Sequence, residues 1–355
     1  MADCPLRDQP YSVDTPIMDV LLNPAAKSAL DGEAPTVLQI IPAPYMSAQA
    51  PSISSVLTAR SMFRMAHLPD SSLAALDRRL AAIPVTAADK AARCARYDTA
   101  PVDLVVPKGA PRLLLFQKIT GFRDGPSVDA GSAAIRDLAA RHGWALVVSD
   151  KGGAMTAANL RKFDAVIWNN ISGDVLTVAQ RNAFRRYVEG GGGFVGFHGS
   201  GGDPTYAWSW YPDTLIGARF KGHAMNPQFR DVRVVVDDPK SAILSGLPAA
   251  WTMSDEWYSF EHSPRPAGAH VLLTLDEATY TPPISDELRM GDHPIAWTRC
   301  VGAGRAFYSA IGHRPQTYAE PHHVRLLENA ILWAAGAGAT RCEAGKEIPR
   351  ATPGR

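Results

Sequence analysis

Residues 190–203 read GGGGFVGFHGSGGD, a glycine run that leads into an apolar strand and ends on a histidine among further glycines. Glycine has no Cβ, so it permits positive φ and lets backbone or ligand approach closely. In α/β proteins such a strand delivers its last residues to the carboxyl edge of the sheet, where these folds bind ligands. His198 is therefore predicted to lie in a functional site, and this stretch alone does not identify the chemistry of that site.

The segments on both sides of this stretch alternate between strand and helix patterns. Strands are predicted at 112–117, 145–149, 164–169 and 193–198, and helices at 127–142, 156–160 and 177–189. This alternation is typical of right-handed βαβ units and a parallel sheet. In the second half, strands are predicted at 232–236, 271–275, 295–298 and 305–311, before a last helix at 324–335.

The first 108 residues differ from the rest in composition. They are rich in Pro and Ala and predict helices at 17–30 and 71–83, with a short strand at 36–41 that Pro42 ends. We therefore predict a helical N-terminal extension at 1–108, an α/β domain at 109–338 and a weakly ordered tail at 339–355. The extension carries no catalytic motif, and we expect it to pack on the main domain or on a partner.

Charge and hydropathy exclude several classes of protein. The 355 residues include 36 basic and 35 acidic side chains, well mixed, so no basic stripe points to nucleic acid. The apolar runs are too short to cross a bilayer, which predicts no membrane association. The first residues lack the basic and apolar regions of a signal peptide. We expect a soluble protein, periplasmic if a signal peptide has been removed and cytoplasmic otherwise.

The four cysteines, at positions 4, 94, 300 and 342, form no C-x-x-C motif. Their number is low for a disulfide scaffold, so we predict unpaired thiols. One pairing becomes plausible if the protein is exported.

Several separated segments together resemble one known family. They are GGGFVGFHGSGG at 191–202, the segment from GARFKGH to SGLP at 217–248, DEWYSFE at 255–261 and DHPIAWTRCVGAGRAFYSAIGH at 292–313, followed by Tyr318 and the helix to Trp333. In order and spacing they resemble the trehalose-utilisation (ThuA-like) family over about residues 110–337.

The resemblance implies a flavodoxin-like fold related to class I glutamine amidotransferases, with a mostly parallel sheet and helices on both faces. It also implies a bacterial role in sugar processing, with hydrolysis, elimination or isomerisation of a 3-keto sugar as the suggested activity. An amidotransferase needs a cysteine nucleophile after the strand, and this chain has Phe197-His198-Gly199 there. Glutaminase activity is therefore not expected.

Three residues are candidate ligands of a divalent metal, with Zn, Mn, Fe or Ni as the candidates. His198 and His313 each follow an apolar strand, and Glu256 lies in a segment that matches the family. Mixed histidine and carboxylate ligands with an open position are typical of catalytic metal sites. Such an ion would polarise a sugar carbonyl and stabilise an enediolate. The alternatives are hydrogen-bonded or capping histidines and an exposed acidic loop.

Other residues are candidates for catalysis and for substrate binding. His223 or Asp255 is predicted to move the proton next to the ketone, with His198 and Glu256 as further catalytic candidates, although His223 also fits a surface loop. A small carbohydrate is the expected partner, and a homo-oligomer is left open. The residues predicted to bind the carbohydrate are Asp203, Arg219, Trp257 and Tyr258, near the further aromatic residues Trp208, Trp210 and Tyr211. His322 and His323 are expected to face solvent.

Two other functions stay open, and one cofactor class is excluded. The chain could be a carbohydrate-binding or scaffold protein without catalysis. It could also be a serine hydrolase, because His198-Gly199-Ser200-Gly201-Gly202 partly matches the G-x-S-x-G elbow. No nucleotide cofactor is expected, because the glycine run at 190–193 precedes its strand, whereas a dinucleotide-binding loop follows one.

Overall fold

The computed structural model describes residues 3–336 and Cys342. The helices are α1 Ile17–Leu21, α2 Pro24–Glu33, α3 Ala59–Met65, α4 Asp70–Ala81, α5 Ala87–Cys94, α6 Gly125–His142, α7 Ala157–Leu160, α8 Val178–Glu189 and α9 Pro321–Ala334. The strands are β1 Arg112–Phe116, β2 Ala145–Ser149, β3 Ala165–Asn169, β4 Gly193–Phe197, β5 Phe220–His223, β6 Arg230–Val236, β7 Ala250–Asp255, β8 Tyr258–Phe260, β9 His270–Thr281, β10 Pro294–Val301 and β11 Gly304–Ser309. The predicted weakly ordered tail, 339–355, lies outside the described residues except for Cys342.

Within the described residues, one large sheet has the strand order β2-β1-β3-β4-β11-β10-β9-β6-β7. The strands from β2 to β11 are parallel, and β10, β9, β6 and β7 extend the sheet by antiparallel pairing. The crossovers through α6 and α8 run in opposite directions along the sheet, so right-handed connections place these helices on opposite faces. The predicted α/β fold with its central sheet and helical N-terminal region is confirmed.

The central strands are buried along almost their whole length. Residues 113–116, 165–169 and 193–197 are all buried. A parallel strand covered by helices on both faces needs apolar side chains pointing both ways, which is why these segments read as continuous apolar runs. The same burial explains why β1, β3 and β4 were predictable from the sequence to within a residue or two.

The helix ends follow their capping residues. Thr156 and Thr177 cap α7 and α8 by accepting hydrogen bonds from Asn159 N–H and Gln180 N–H, so the predicted N-cap at Thr156 is confirmed. Helix α9 begins three residues before the predicted start, because Pro321 occupies its first turn and the Glu320 carboxylate caps it.

The early start of α9 changes the surroundings of the two histidines in its first turn. His323 is fully buried, so the prediction that it faces solvent is wrong, whereas His322 is partly exposed and pairs with Glu320.

The N-terminal region is helical, but two details differ from the prediction. The predicted helix at 17–30 is two helices, because Asn23 caps α2 and Pro24 begins it. The strand predicted at 36–41 is wrong: Val37–Ile40 forms a 3₁₀ turn, because this short segment has no neighbouring strand to pair with. The apolar residues of this region form a core cluster of their own, which includes Tyr11, Leu30 and Leu76.

Two disulfides contradict the prediction of unpaired thiols. Cys4 pairs with Cys94 and Cys300 with Cys342, and no cysteine is free among the described residues. The partners are 90 and 42 residues apart, so only the folded chain reveals the pairing. Disulfides persist in oxidising compartments. The pairs fit the exported alternative, and the compartment stays a prediction.

No helix in the described part of the chain is long and apolar enough to cross a membrane.

The glycine run has a packing role that a substitution can test. A Cβ on Gly193 would lie 2.3 Å from the backbone oxygen of Ala334 in α9 and 2.9 Å from the Ala165 side chain in β3. Gly193→Ala is therefore expected to lower the free energy of unfolding by about 1–3 kcal/mol, the usual cost of overpacking. Denaturant unfolding measures this.

Gly32→Ala in α2 is the matched control, since its nearest neighbour is the flexible end of Arg79. Gly32 lies in the last turn of α2, and alanine has a higher helix propensity than glycine, so this variant should be as stable as the wild type or slightly more stable. A Gly193→Ala protein as stable as the wild type would contradict the close approach of α9 to β4.

Candidate functional site

The carboxyl ends of two neighbouring strands bring two histidines together. Strands β4 and β11 are parallel neighbours, with Phe197 level with Ser309. His198 follows β4 directly, and His313 follows β11 after a short turn. His198 is buried and has a φ of +43°, an uncommon backbone conformation for a residue other than glycine. Such outliers cluster at functional sites.

Glu256 completes a triangle of donor atoms with these histidines. It lies between β7 and β8. His198 Nε2 is 3.0 Å from His313 Nδ1 and 3.3 Å from Glu256 Oε2, and His313 Nδ1 is 3.1 Å from the same oxygen. The structure thus brings together the three residues predicted as metal ligands.

Hydrogen bonds at the far side of each imidazole orient the histidines. His198 Nδ1 lies 2.9 Å from the Ala310 carbonyl oxygen. A carbonyl only accepts, so Nδ1 carries the proton and Nε2 of the neutral ring presents its lone pair to the triangle. His313 Nε2 lies 3.5 Å from Asp124 Oδ2, which orients that ring with Nδ1 inward. Such carbonyl and carboxylate partners are typical of metal-binding histidines.

The electrostatics of the triangle favour a cation. Burial alone would raise the pKa of Glu256, but the close contacts with His198 and His313 hold it well below its usual range. Burial alone would lower the pKa of His313, but the hydrogen bond and charge of Glu256 raise it. Both shifts have one cause: a buried carboxylate facing imidazole nitrogens attracts positive charge.

Tyr258 and His223 surround the triangle. The Tyr258 hydroxyl donates to His198 Nε2 at 2.9 Å, and burial raises the pKa of Tyr258 well above its usual value. His223 Nδ1 lies 3.1 Å from Glu256 Oε1 and 3.0 Å from the Ala224 carbonyl oxygen. The Gln228 amide also donates to Glu256 Oε1, at 2.5 Å.

The surroundings of Asp255 differ from those expected of a residue that transfers a proton to or from a substrate. Its side chain is fully buried. Its carboxylate accepts hydrogen bonds from the Thr317 hydroxyl and from the backbone N–H groups of Glu256, Gly312, His313 and Arg314. Burial raises its pKa, while nearby His198 and these donors oppose the shift. This geometry favours a role in positioning the turn that carries His313.

Of the four predicted substrate contacts, Tyr258 forms a side-chain hydrogen bond with a triangle residue, and the side-chain hydrogen bonds of the other three go to residues outside the triangle. Arg219 forms a bidentate surface pair with Asp213, and buried Trp257 donates to the Arg230 carbonyl at 2.6 Å. Asp203 accepts from the Ser172 hydroxyl and from Gly173 N–H, and burial raises its pKa to about 7.

Ser200 does not have the surroundings of a nucleophile. Its buried hydroxyl donates to the Trp168 carbonyl at 2.9 Å and accepts from Ile171 N–H at 3.1 Å. These bonds tie the turn after β4 to the turn after β3, which is a structural role. The partial serine-hydrolase motif therefore finds no support in the geometry.

The sequence analysis missed several residues around the triangle. Asp124 and Gln228 contact its members, and the exposed Phe229 ring is 5.4 Å from the His313 ring. Two further exposed rings, Phe122 and Tyr45, lie 6.0 Å from each other. Phe122 lies two residues before Asp124, and Asp124 directly precedes helix α6. The proline in the first turn of that helix was the sequence signal that could have located both residues. Tyr45 lies in the N-terminal region, so only the folded chain could reveal it.

Comparison with known proteins yields one family. The family model for trehalose utilisation (ThuA) matches residues 112–334. No curated protein is similar in sequence to the chain. Among solved structures, a protein described as ThuA-like from Bacteroides uniformis is 26% identical, with a TM-score of 0.56, over 66% of this chain and 95% of its own. A second, from Parabacteroides merdae, is 17% identical with a TM-score of 0.49, over 67% of this chain and 93% of its own.

The role of Asp255 leads to a prediction. Asp255→Asn replaces one acceptor oxygen by a donor that faces backbone N–H groups, so at least one of these buried groups loses its partner. We expect faster hydrogen exchange in the Gly312–Thr317 turn and a free energy of unfolding lower by about 1–3 kcal/mol. Asp213→Asn, at a surface ion pair, is the control and should change neither quantity measurably. Unchanged exchange in the turn of the Asp255→Asn protein would contradict the positioning role.

Proposed function

The chain belongs to the trehalose utilisation (ThuA) family, and on that premise we propose that it is an enzyme that uses a divalent metal to act on a keto sugar. The observation that carries this proposal is the triangle formed by His198, Glu256 and His313. The reaction is a hydrolysis, elimination or isomerisation that begins at the carbon next to the ketone.

The donor set fits a divalent transition metal. Metal–ligand bonds of about 2.0–2.1 Å place neighbouring tetrahedral ligands about 3.3 Å apart. The edges of the triangle, 3.0–3.3 Å, are close to this separation. Two imidazoles and one carboxylate suit Zn, Mn, Fe or Ni, and three protein ligands leave positions for substrate. Bound there, the ion would supply a Lewis acid for a carbonyl oxygen.

His223 is the best-placed residue for proton transfer. Its Nδ1 contacts the Ala224 carbonyl, so the proton of the neutral ring lies on Nδ1 and Nε2 is the basic nitrogen. The side chain is 22% exposed, which lets it exchange protons with solvent. The Glu256 carboxylate lies 3.1 Å from Nδ1 and holds this side of the ring in place. A proton next to a ketone is acidic enough for this step, whereas a plain glycoside offers none.

The surroundings of the triangle suit a sugar ring. The Phe229 ring lies 5.4 Å from the His313 ring and is exposed. Flat apolar rings beside a few placed polar groups are typical of small-molecule sites. The C–H face of a sugar would cover the Phe229 ring while its oxidised carbon meets the triangle.

The proposal predicts linked losses of metal and activity. The wild type should bind one equivalent of a divalent metal and convert members of a panel of 3-keto-glycosides, and a chelator should abolish turnover until metal is restored. His198→Ala and Glu256→Gln should weaken metal binding about tenfold or more. They should lower turnover about a hundredfold or more, because the Lewis acid contributes several kcal/mol. Metal analysis and steady-state kinetics measure both.

His270→Ala is the matched control. His270 is exposed at the start of β9 and pairs with Asp238, so this variant should behave as the wild type. Protein without stoichiometric metal and indifferent to chelator would contradict the metal site. Sugar binding without turnover of any keto-glycoside would favour a carbohydrate-binding protein.

A further inference from the structure

A cavity of about 280 Å³ lies where the N-terminal region meets the loops that follow β3 and β4. The N-terminal side supplies Asp14, Val56 and Arg96, among others. His198, Glu256 and His313 are not among its lining residues, so it is separate from the donor triangle.

The position of the cavity is one where α/β proteins bind ligands. Asp174 follows β3 and Asp203 follows β4, so one wall is built from the carboxyl edge of the parallel strands. The opposite wall comes from residues that precede the family match at 112–334. The volume is just below the common range for ligand pockets, about 300–1,000 Å³, and suits a molecule the size of one sugar ring.

Bonds across the two walls fix the shape of the cavity. The Tyr97 hydroxyl donates to Asp174 at 2.8 Å, and Thr205 Oγ1 donates to the Val56 carbonyl at 2.5 Å. The Cys4–Cys94 disulfide ties down the segment that carries Leu6, another lining residue. A cavity held in this way is preorganised, which reduces the entropic cost of binding.

The lining combines aromatic rings with hydrogen-bonding groups. Tyr206 and Trp208 line the cavity and are partly exposed, so they contribute apolar ring surface that the C–H groups of a sugar ring can contact. The Asp14 and Asp174 carboxylates are acceptors for ligand hydroxyl groups. Together these groups match a molecule that has both C–H faces and O–H donors.

The charges of the lining are compensated by partners. Asp14 pairs with Arg60 at 2.7 Å, Asp174 pairs with Arg181, and Arg96 pairs with Asp19. Burial raises the pKa of Asp203 to about 7, so part of its charge is lost near neutral pH. An ammonium ligand would find few free negative charges, and a phosphate would meet carboxylates. An uncharged ligand is therefore favoured.

We propose that this cavity is a second binding site, which takes an uncharged, monosaccharide-sized polyol such as a single sugar ring. The site is independent of the proposed metal chemistry, since its walls do not include the donor triangle. It is built jointly by the family domain and the N-terminal region, and so would depend on the extension.

Binding of D-glucose and D-galactose to the full chain, in the presence of chelator, tests the proposal. Calorimetry and saturation-transfer NMR should show saturable binding of at least one of them, at least tenfold tighter than glucose 6-phosphate or glucosamine. Asp14→Ala should weaken this binding about three- to tenfold, the loss expected for one hydrogen bond. Ala207→Trp, at an exposed lining position, should obstruct the cavity and abolish binding.

Arg60→Ala is the matched control, because it breaks the same ion pair as Asp14→Ala but Arg60 does not line the cavity. It should bind as the wild type does. His198→Ala should also retain this binding, which separates the cavity from the proposed catalytic site. The proposal is overturned if neither sugar binds saturably, if Ala207→Trp binds like the wild type, or if His198→Ala alone removes binding.

Discussion

The buried carboxylate of Asp255 joins the two halves of the sheet at the candidate site. It ends β7, at the far antiparallel edge, yet it binds the backbone of the turn that follows β11 at the parallel half. The residue next to it, Glu256, is thereby brought to His313, and the pairing of β11 with β4 brings His198 to both. The buried carboxylate, satisfied by four backbone N–H groups and the Thr317 hydroxyl, and the pairing of β4 with β11 together bring three side chains from distant parts of the chain to one place.

The parts of the fold predictable from sequence are those determined locally. The strands β1, β3 and β4 are apolar because they are covered on both faces, and the N-cap Thr156 sits at a local start signal. The two histidines could be found because the carboxyl ends of parallel strands lie at the edge of the sheet where ligands bind. Glu256 was found through its resemblance to a family segment, and its neighbour Asp255 carries no local sign of its five contacts.

What the sequence could not reveal depends on contacts between distant segments. The disulfides join residues 90 and 42 positions apart, and His323 is buried because α9 begins earlier than its apolar pattern does. The same holds for the N-terminal region. Its composition predicts helices, but only the folded chain shows Tyr45 beside Phe122 and Val56 in the wall of a cavity. The extension thus contributes one wall of the cavity that we propose as a binding site.

We propose that His198, Glu256 and His313 hold a divalent metal. Anomalous X-ray diffraction from crystals of the metal-loaded protein, recorded on both sides of the absorption edge of that metal, tests it most directly. We expect an anomalous peak within bonding distance of His198 Nε2, Glu256 Oε2 and His313 Nδ1. Crystals that contain metal elsewhere, with no peak among these three atoms, would contradict it.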